Sequence, residues 1–260
     1  MRDSDYYRNN NRDSYGYYGK NNRDQEYYRS GSSNKYGKKS KRRRKARRKR
    51  TFLVVVGIIA LIIVAVLAVK WYVKDSRIDF LRRTAGAEED DPSQKGEIVQ
   101  YGKVEVSKQY LDVGIARNGK KLQNLNGIVV HYVANPGSTA QENHDYFASP
   151  TTNVCSHFVI GLNGEVIQCL PLDEMSAASN DRNIDTISIE VCHPDETGEP
   201  TVDGYNSLVY LCAWLCDNTG LKPDNIIRHY DVTGKMCPLY FVEHPDMWEQ
   251  FKVDVERYMN

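Results

Sequence analysis

Two histidines, a lysine and a cysteine carry the densest chemical signal in this chain. His229, Lys235 and Cys237 share the run Ile-Arg-His-Tyr-Asp-Val-Thr-Gly-Lys-Met-Cys-Pro (227–238), and His131 closes the apolar run Gly127-Ile-Val-Val-His131. Two imidazoles plus a thiolate, with a fourth position left open, describe a catalytic zinc site. A closed structural site needs a fourth protein ligand, and the usual paired spacings, such as Cys-x2-Cys or His-x3-His, are absent. Taken singly, a histidine at a strand end is more often a hydrogen-bonded surface group than a ligand. What changes that reading is a second histidine in the same kind of place.

His229 also ends a short apolar stretch, Asn225-Ile-Ile-Arg-His229, so two imidazoles stand where two predicted strands run out. That is the customary address of sites on α/β sheets. Gly234 turns and Pro238 stops the loop that can fold Cys237 back onto the strand end. Lys235 lies two residues before Cys237, where a cation can stabilise a developing oxyanion; the plainer reading is a solvent-facing loop lysine. Glu190 interrupts the apolar strand Ile187-Ser-Ile-Glu190, a costly placement unless the acid is used or paired. It is read either as a general base or as a carboxylate that orients a ligand histidine.

Four stretches in order carry a family resemblance: Gly127-Ile-Val-Val-His-Tyr-Val-Ala-Asn-Pro-Gly, Ser156-His-Phe-Val-Ile-Gly-Leu-Asn-Gly-Glu-Val-Ile-Gln, Thr186-Ile-Ser-Ile-Glu190 and Arg228-His-Tyr-Asp-Val-Thr-Gly-Lys-Met-Cys-Pro. From about Lys121 to Asn260 the chain resembles the zinc-dependent N-acetylmuramoyl-L-alanine amidases of the phage-lysozyme and peptidoglycan-recognition fold, particularly those of Gram-positive cell walls. The resemblance implies Zn2+ held by His131, His229 and Cys237, Glu190 and Lys235 as catalytic residues, and peptidoglycan as substrate. The bond cut would join N-acetylmuramic acid to the L-alanine of the stem peptide. Asn135, His157 and His193 are candidates for lining the substrate groove, although a satisfied structural histidine is the plainer reading of His157 and His193. The chain departs from the phage-lysozyme branch in having Ser156, not a catalytic tyrosine, before His157, which shifts the acid–base role to Glu190. A rival reading is a membrane-anchored module that binds peptidoglycan without cutting it; retention of Cys237 with Lys235 and Glu190 speaks against it.

The net charge of +1 hides an opposition, because residues 1–50 hold 18 Lys and Arg against 5 acids and the remainder is acidic. Between them lies Phe52 to Val69, an uninterrupted apolar run. As a helix it covers roughly 27 Å, close to the hydrocarbon thickness of a bilayer. Trp71 and Tyr72 follow as interfacial aromatics, and the basic block 41–50 precedes it. A single-pass anchor over 51–73 is therefore expected in the cell membrane, with the amino terminus cytoplasmic and the catalytic domain outside. A cleaved signal peptide ending near Ala85-Gly86-Ala87 competes, against a long leader and an overlong apolar core.

Residues 1–50 read as a disordered tail, rich in Tyr, Asn, Arg and Gly at its start and basic at its end. Its block 41–50 suits anionic membrane lipids, with no nucleic-acid partner expected, and its tyrosines offer a site for a cytoplasmic partner. Residues 74–104 read as an extracytoplasmic linker that lifts a domain at 105–260 away from the membrane.

Within that domain, strands are expected at 128–132 and 187–192, and a hairpin at 156–162 and 165–170 turned by Asn163-Gly164. Helices are expected from a Ser138–Gln141 capping box through Phe147, over about 205–217, and from Pro245 towards Tyr258. The fold class is mixed α/β: a central sheet flanked by helices, preceded by one transmembrane helix and a disordered tail. Of the six cysteines, the five other than Cys237 read mostly as buried packing groups, with one disulfide left open and Cys155 unassigned.

Overall fold

The computed structural model describes residues 34–85 and 96–260. Two compact units divide the chain, 1–60 and 61–260. The described part of the first is the beginning of helix α1 (Asn34–Ala85), whose apolar side chains lie open, as with Phe52 at 67% exposure. Among the described residues, one helical stretch, Lys41–Leu81, is long and apolar enough to cross a membrane by length and composition. The tail expected to be disordered over 1–50 is helical from Asn34 onward; Lys, Arg and Ala are good helix formers, and they extend a helix already nucleated by the apolar run. Residues 1–33 lie outside the described part.

In the second unit a seven-stranded sheet has the order β1-β2-β5-β4-β6-β3-β7. Its strands are β1 (Glu97–Tyr101), β2 (Val104–Lys108), β3 (Gly127–Tyr132), β4 (Phe158–Ile160), β5 (Val166–Gln168), β6 (Thr186–Val191) and β7 (Ile226–Arg228). Pairs β1/β2 and β4/β5 are antiparallel, and β2/β5, β4/β6, β6/β3 and β3/β7 are parallel. The helices are α2 (Ala140–Ala148), α3 (Val202–Thr219), α4 (His229–Thr233), α5 (Leu239–Glu243) and α6 (Pro245–Tyr258). This is the mixed α/β architecture read from the sequence.

Successive strand residues point to opposite faces, and the two faces have different jobs. Ile128, Val130, Ile187 and Ile189 pack with Leu208, Leu211 and Leu215 of α3 and Phe251 and Val255 of α6 in the larger core. The intervening His131 and Glu190 therefore share the other face. That face packs Val159 and Ile167 against Ala140 and Phe147 of α2. The hairpin turn is tight because Gly164 takes φ +78° and sits against α3, where a Cβ would meet the Asp203 carbonyl at 2.9 Å. Helix α2 starts one residue later than expected. Thr139 accepts from the Glu142 N–H and its own N–H donates to the Glu142 carboxylate, whereas Ser138 donates to the Asn135 carbonyl at 2.7 Å.

The expected 74–104 linker does not survive as drawn. Residues 74–85 continue α1, 97–101 form β1, and β2 already pairs with β5, so the sheet begins before 105; residues 86–95 lie outside the described part. The end of α1 packs on the domain. Leu81 is fully buried in the larger core, Phe80 meets Trp214 at 5.6 Å, and Arg77 donates to the Leu125 and Gly220 carbonyls at 3.0 and 2.9 Å. Gly220 caps α3 in the left-handed region, so the guanidinium also stands at the negative end of that helix.

Candidate metal centre

β6, β3 and β7 are parallel neighbours, so their carboxyl ends form one rim of the sheet. His131 and Glu190 are register partners across β3 and β6. His229 opens α4 directly after β7, and the loop beyond α4 returns so that the Tyr230 N–H donates to the Cys237 carbonyl at 2.8 Å. Cys237 Sγ then stands 3.8 Å from His131 Nδ1, and Glu190 Oε1 stands 4.0 Å from the same nitrogen. The two imidazole centroids are 4.6 Å apart.

One donor atom from each of His131, His229 and Cys237 lies within 4.8 Å of the others, and all three side chains are buried. A tetrahedral zinc with ordinary Zn–N and Zn–S bonds needs donor separations of about 3.3–3.6 Å. The cluster is therefore close to a bound set and slightly open. Among the described residues no other His, Cys, Asp or Glu group has this spacing. The Glu190 Oε2 is buried without a hydrogen-bond partner, an orphan on a side chain whose other oxygen stands beside His131.

The distal nitrogens are both occupied. His131 Nε2 lies 3.0 Å from Ser179 Oγ and His229 Nε2 lies 2.9 Å from Asn180 Oδ1. That leaves Nδ1 of each ring for the centre.

Burial, with His229 and Lys235 nearby, holds His131 well below the ordinary histidine range. Burial and Lys235 likewise lower His229. Both rings are neutral at physiological pH and offer a lone pair. Burial raises the Glu190 carboxyl from its ordinary 4.5 to about 8, with Lys235 pulling the other way. Burial and then Glu190 raise the Cys237 thiol to about 12, against the Tyr132 N–H and Lys235. Burial is the leading cause of all four shifts, and it favours the neutral form of each group.

These groups open into a cavity of about 540 Å³, whose wall includes His131, Glu190, His229, Lys235 and Cys237. Lys235 is solvent-exposed. None of the three residues expected to line the substrate groove is among those that line this cavity. His157 is fully buried, with Nδ1 accepting from the Ser188 N–H at 3.0 Å and Nε2 donating to the Glu174 carbonyl at 2.9 Å. Desolvation drops its pKa to about 4, so it is a neutral core group. His193 is buried, donates to the Asp195 carbonyl and stacks on Tyr132 at 5.1 Å, behind the wall. Asn135 is an exposed turn residue whose carbonyl accepts from Ser138. The wall beside the cluster is built instead by Tyr132, Phe147, Asn153, Val154, Asn180 and Asn183.

Ser179 and Asn180 were not legible beforehand; they belong to a polar loop with no periodicity, and the only hint is Asn180's proximity to the apolar strand that carries Glu190. All six cysteines are free and buried. Cys155 donates to the Ala116 carbonyl at 3.0 Å, and burial raises it to about 11, so it is an unreactive neighbour of the cavity.

Residues 121–239 match the family model described as N-acetylmuramoyl-L-alanine amidase. Residues 121–239, somewhat less than half of this chain, are therefore similar to that amidase family and are termed the amidase domain after it. The amidase domain and its flanks are 29% identical over 171 residues to the N-acetylmuramoyl-L-alanine amidase CwlL of Bacillus licheniformis, covering 59% of this chain and 47% of that protein. With the N-acetylmuramoyl-L-alanine amidase BlyA of Bacillus subtilis the identity is 30% over 165 residues, covering 55% and 44%. The chain thus spans about half the length of the curated relatives it matches. Among solved structures, the catalytic domain of XlyA superposes with a TM-score of 0.52 at 25% identity, covering 58% of this chain and 99% of that one. The amidase domain therefore contains the fold of a whole catalytic domain.

Proposed function

We propose that this chain is a membrane-anchored, zinc-dependent peptidoglycan hydrolase that cleaves the amide between N-acetylmuramic acid and L-alanine. The observation that carries the reading is the convergence of His131, His229 and Cys237 within 4.8 Å, beside a partly buried acid with one buried, unpartnered oxygen. His131, His229 and Cys237 hold the metal through two neutral imidazoles and a thiolate. When bound, zinc supplies Lewis acidity, acidifying a water and polarising the scissile carbonyl.

Glu190 takes the proton of the attacking water and returns it to the leaving amine. Burial raises this carboxyl to about 8 without metal, and a cation beside it would draw the value back down, towards the range in which a carboxylate can take a proton and return it near neutral pH. Lys235, on the cavity wall and exposed, offers its ammonium to the oxyanion formed from the carbonyl. Neither role requires His157, His193 or Asn135.

The exposed apolar face of α1 and the basic block before it support an anchor over residues 51–73, with the amino terminus cytoplasmic and residues 41–50 on anionic lipid. Only residues 73–76, about one helical turn, separate the interfacial pair Trp71 and Tyr72 from Arg77, which already contacts the amidase domain. The enzyme then works on wall close to its own membrane.

Mass spectrometry of purified sacculi treated with the zinc-loaded full chain in detergent micelles tests the activity. Free stem peptides beginning with L-alanine are expected. Intact muropeptides would overturn the hydrolase reading, and sacculus binding without cleavage would favour the recognition module.

A further inference from the structure

We infer that Ser179 and Asn180, two consecutive residues of one short turn, are positioning residues that fix both histidine rings with Nδ1 towards the metal. This rests on the metal site proposed above. The rings come from different elements, His131 from the end of β3 and His229 from the start of α4, yet one turn reaches both. Ser179 Oγ is 3.0 Å from His131 Nε2, and Asn180 Oδ1 is 2.9 Å from His229 Nε2. A carbonyl oxygen only accepts, so Asn180 places the His229 proton on Nε2 and leaves the Nδ1 lone pair free. Ser179, fully buried, holds His131 in the matching orientation.

The turn is itself braced. Asn183 Oδ1 accepts from the Ala178 and Ser179 N–H groups at 3.1 and 2.7 Å, and the Arg182 N–H donates to the Ser179 carbonyl at 3.0 Å. Asn180 adopts φ +53°, in the left-handed region. Among the described residues only Ala134 shares that feature without being glycine, and both residues line the metal cavity. A backbone conformation that L side chains rarely adopt is retained where it aims an amide oxygen at a ligand histidine. Because Asn180 and Asn183 also form the cavity wall, the turn that sets the histidines is the one a substrate would touch.

Asn180→Gly and Asn180→Asp separate the side chain from the backbone. Glycine accepts the positive φ and removes the oxygen; aspartate tolerates the same φ and keeps an acceptor. Zinc affinity is measured by competition with a chromophoric chelator on the full chain in detergent micelles, with thermal unfolding of the metal-free protein as the control. Histidine tautomers are read in the same metal-free samples by nitrogen-15 NMR. The wild type should show Nε2-protonated His229. Asn180→Gly should mix the tautomers and weaken zinc roughly 10- to 100-fold at an unchanged metal-free melting temperature. Asn180→Asp should stay near wild type, and Ser179→Ala should weaken zinc in the same direction. An Asn180→Gly affinity within about fivefold of wild type, or an equal loss in Asn180→Asp, overturns the positioning role. If the wild type binds no zinc, the zinc reading of the site fails; the tautomer comparison still decides whether Asn180 sets the ring.

Discussion

His131 and Glu190 are paired in register on adjacent parallel strands, with the imidazole Nδ1 4.0 Å from the carboxyl Oε1. The pairing places a neutral imidazole and a protonatable acid side by side on the face of the sheet away from α3 and α6. It also means that the acid is desolvated before any metal arrives.

Metal-free stability should depend on pH through Glu190. Its folded pKa of about 8 lies above the ordinary 4.5. Between those values the folded chain binds more protons than the unfolded one, so the contribution is full below the lower value and is lost as pH rises through about 8. Glu190→Gln cannot ionise. After chelation, its melting temperature should exceed that of wild type at alkaline pH, with the gap closing on acidification. A gap that is constant with pH would contradict the buried, raised carboxyl.

Zinc binding should release protons. The Cys237 thiol, raised to about 12 without metal, must become a thiolate to ligate, while both histidines are already neutral. Calorimetry in buffers of different ionisation enthalpy at neutral pH should find about one proton from Cys237, plus the share that Glu190 gives up beside the cation. Affinity should fall as pH falls. Zinc uptake without proton release would contradict Cys237 as a ligand.

His157 should matter for folding and not for turnover. His157→Ala strands the Ser188 N–H and the Glu174 carbonyl in the core, at a cost of about 2–4 kcal/mol. Denaturant unfolding should show this loss, while kcat/KM per folded molecule stays near wild type. A large drop in kcat/KM at unchanged stability would return His157 to the site.

The end of α1 should behave as part of the amidase domain. Leu81→Ala removes a fully buried side chain, at a cost of about 2–4 kcal/mol. Thermal unfolding of the full chain should register it, and an unchanged melting temperature would mean that α1 merely rests against the sheet.

His131, His229 and Cys237 were legible because each follows an apolar run or sits between a glycine and a proline, local signals that a strand rim reproduces. The Asn163-Gly164 hairpin was legible for the same reason. Glu190 was marked as an acid in an apolar strand. Its partnership with His131 follows from the alternation of both strands together with a parallel register that no local signal specifies. Ser179 and Asn180 escaped because their histidines lie 48 and 49 residues away. His157 takes the plainer of its two readings; a satisfied core histidine and a groove histidine look alike in an apolar strand, and only its partners Ser188 and Glu174 separate them. The linker was misread because Arg77 and Leu81 sit in a polar stretch, where one buried leucine and one capping arginine leave no periodic trace.

The central claim is a zinc centre served by a separate acid, and the direct test measures zinc content and amide hydrolysis together in two variants of the full chain. Cys237→Ser should lose zinc and activity at once. Glu190→Gln should keep one zinc per chain and lose about 10²- to 10⁴-fold in turnover, the range expected for a general base. Near wild-type turnover in Glu190→Gln, or zinc and turnover both retained in Cys237→Ser, would contradict the account.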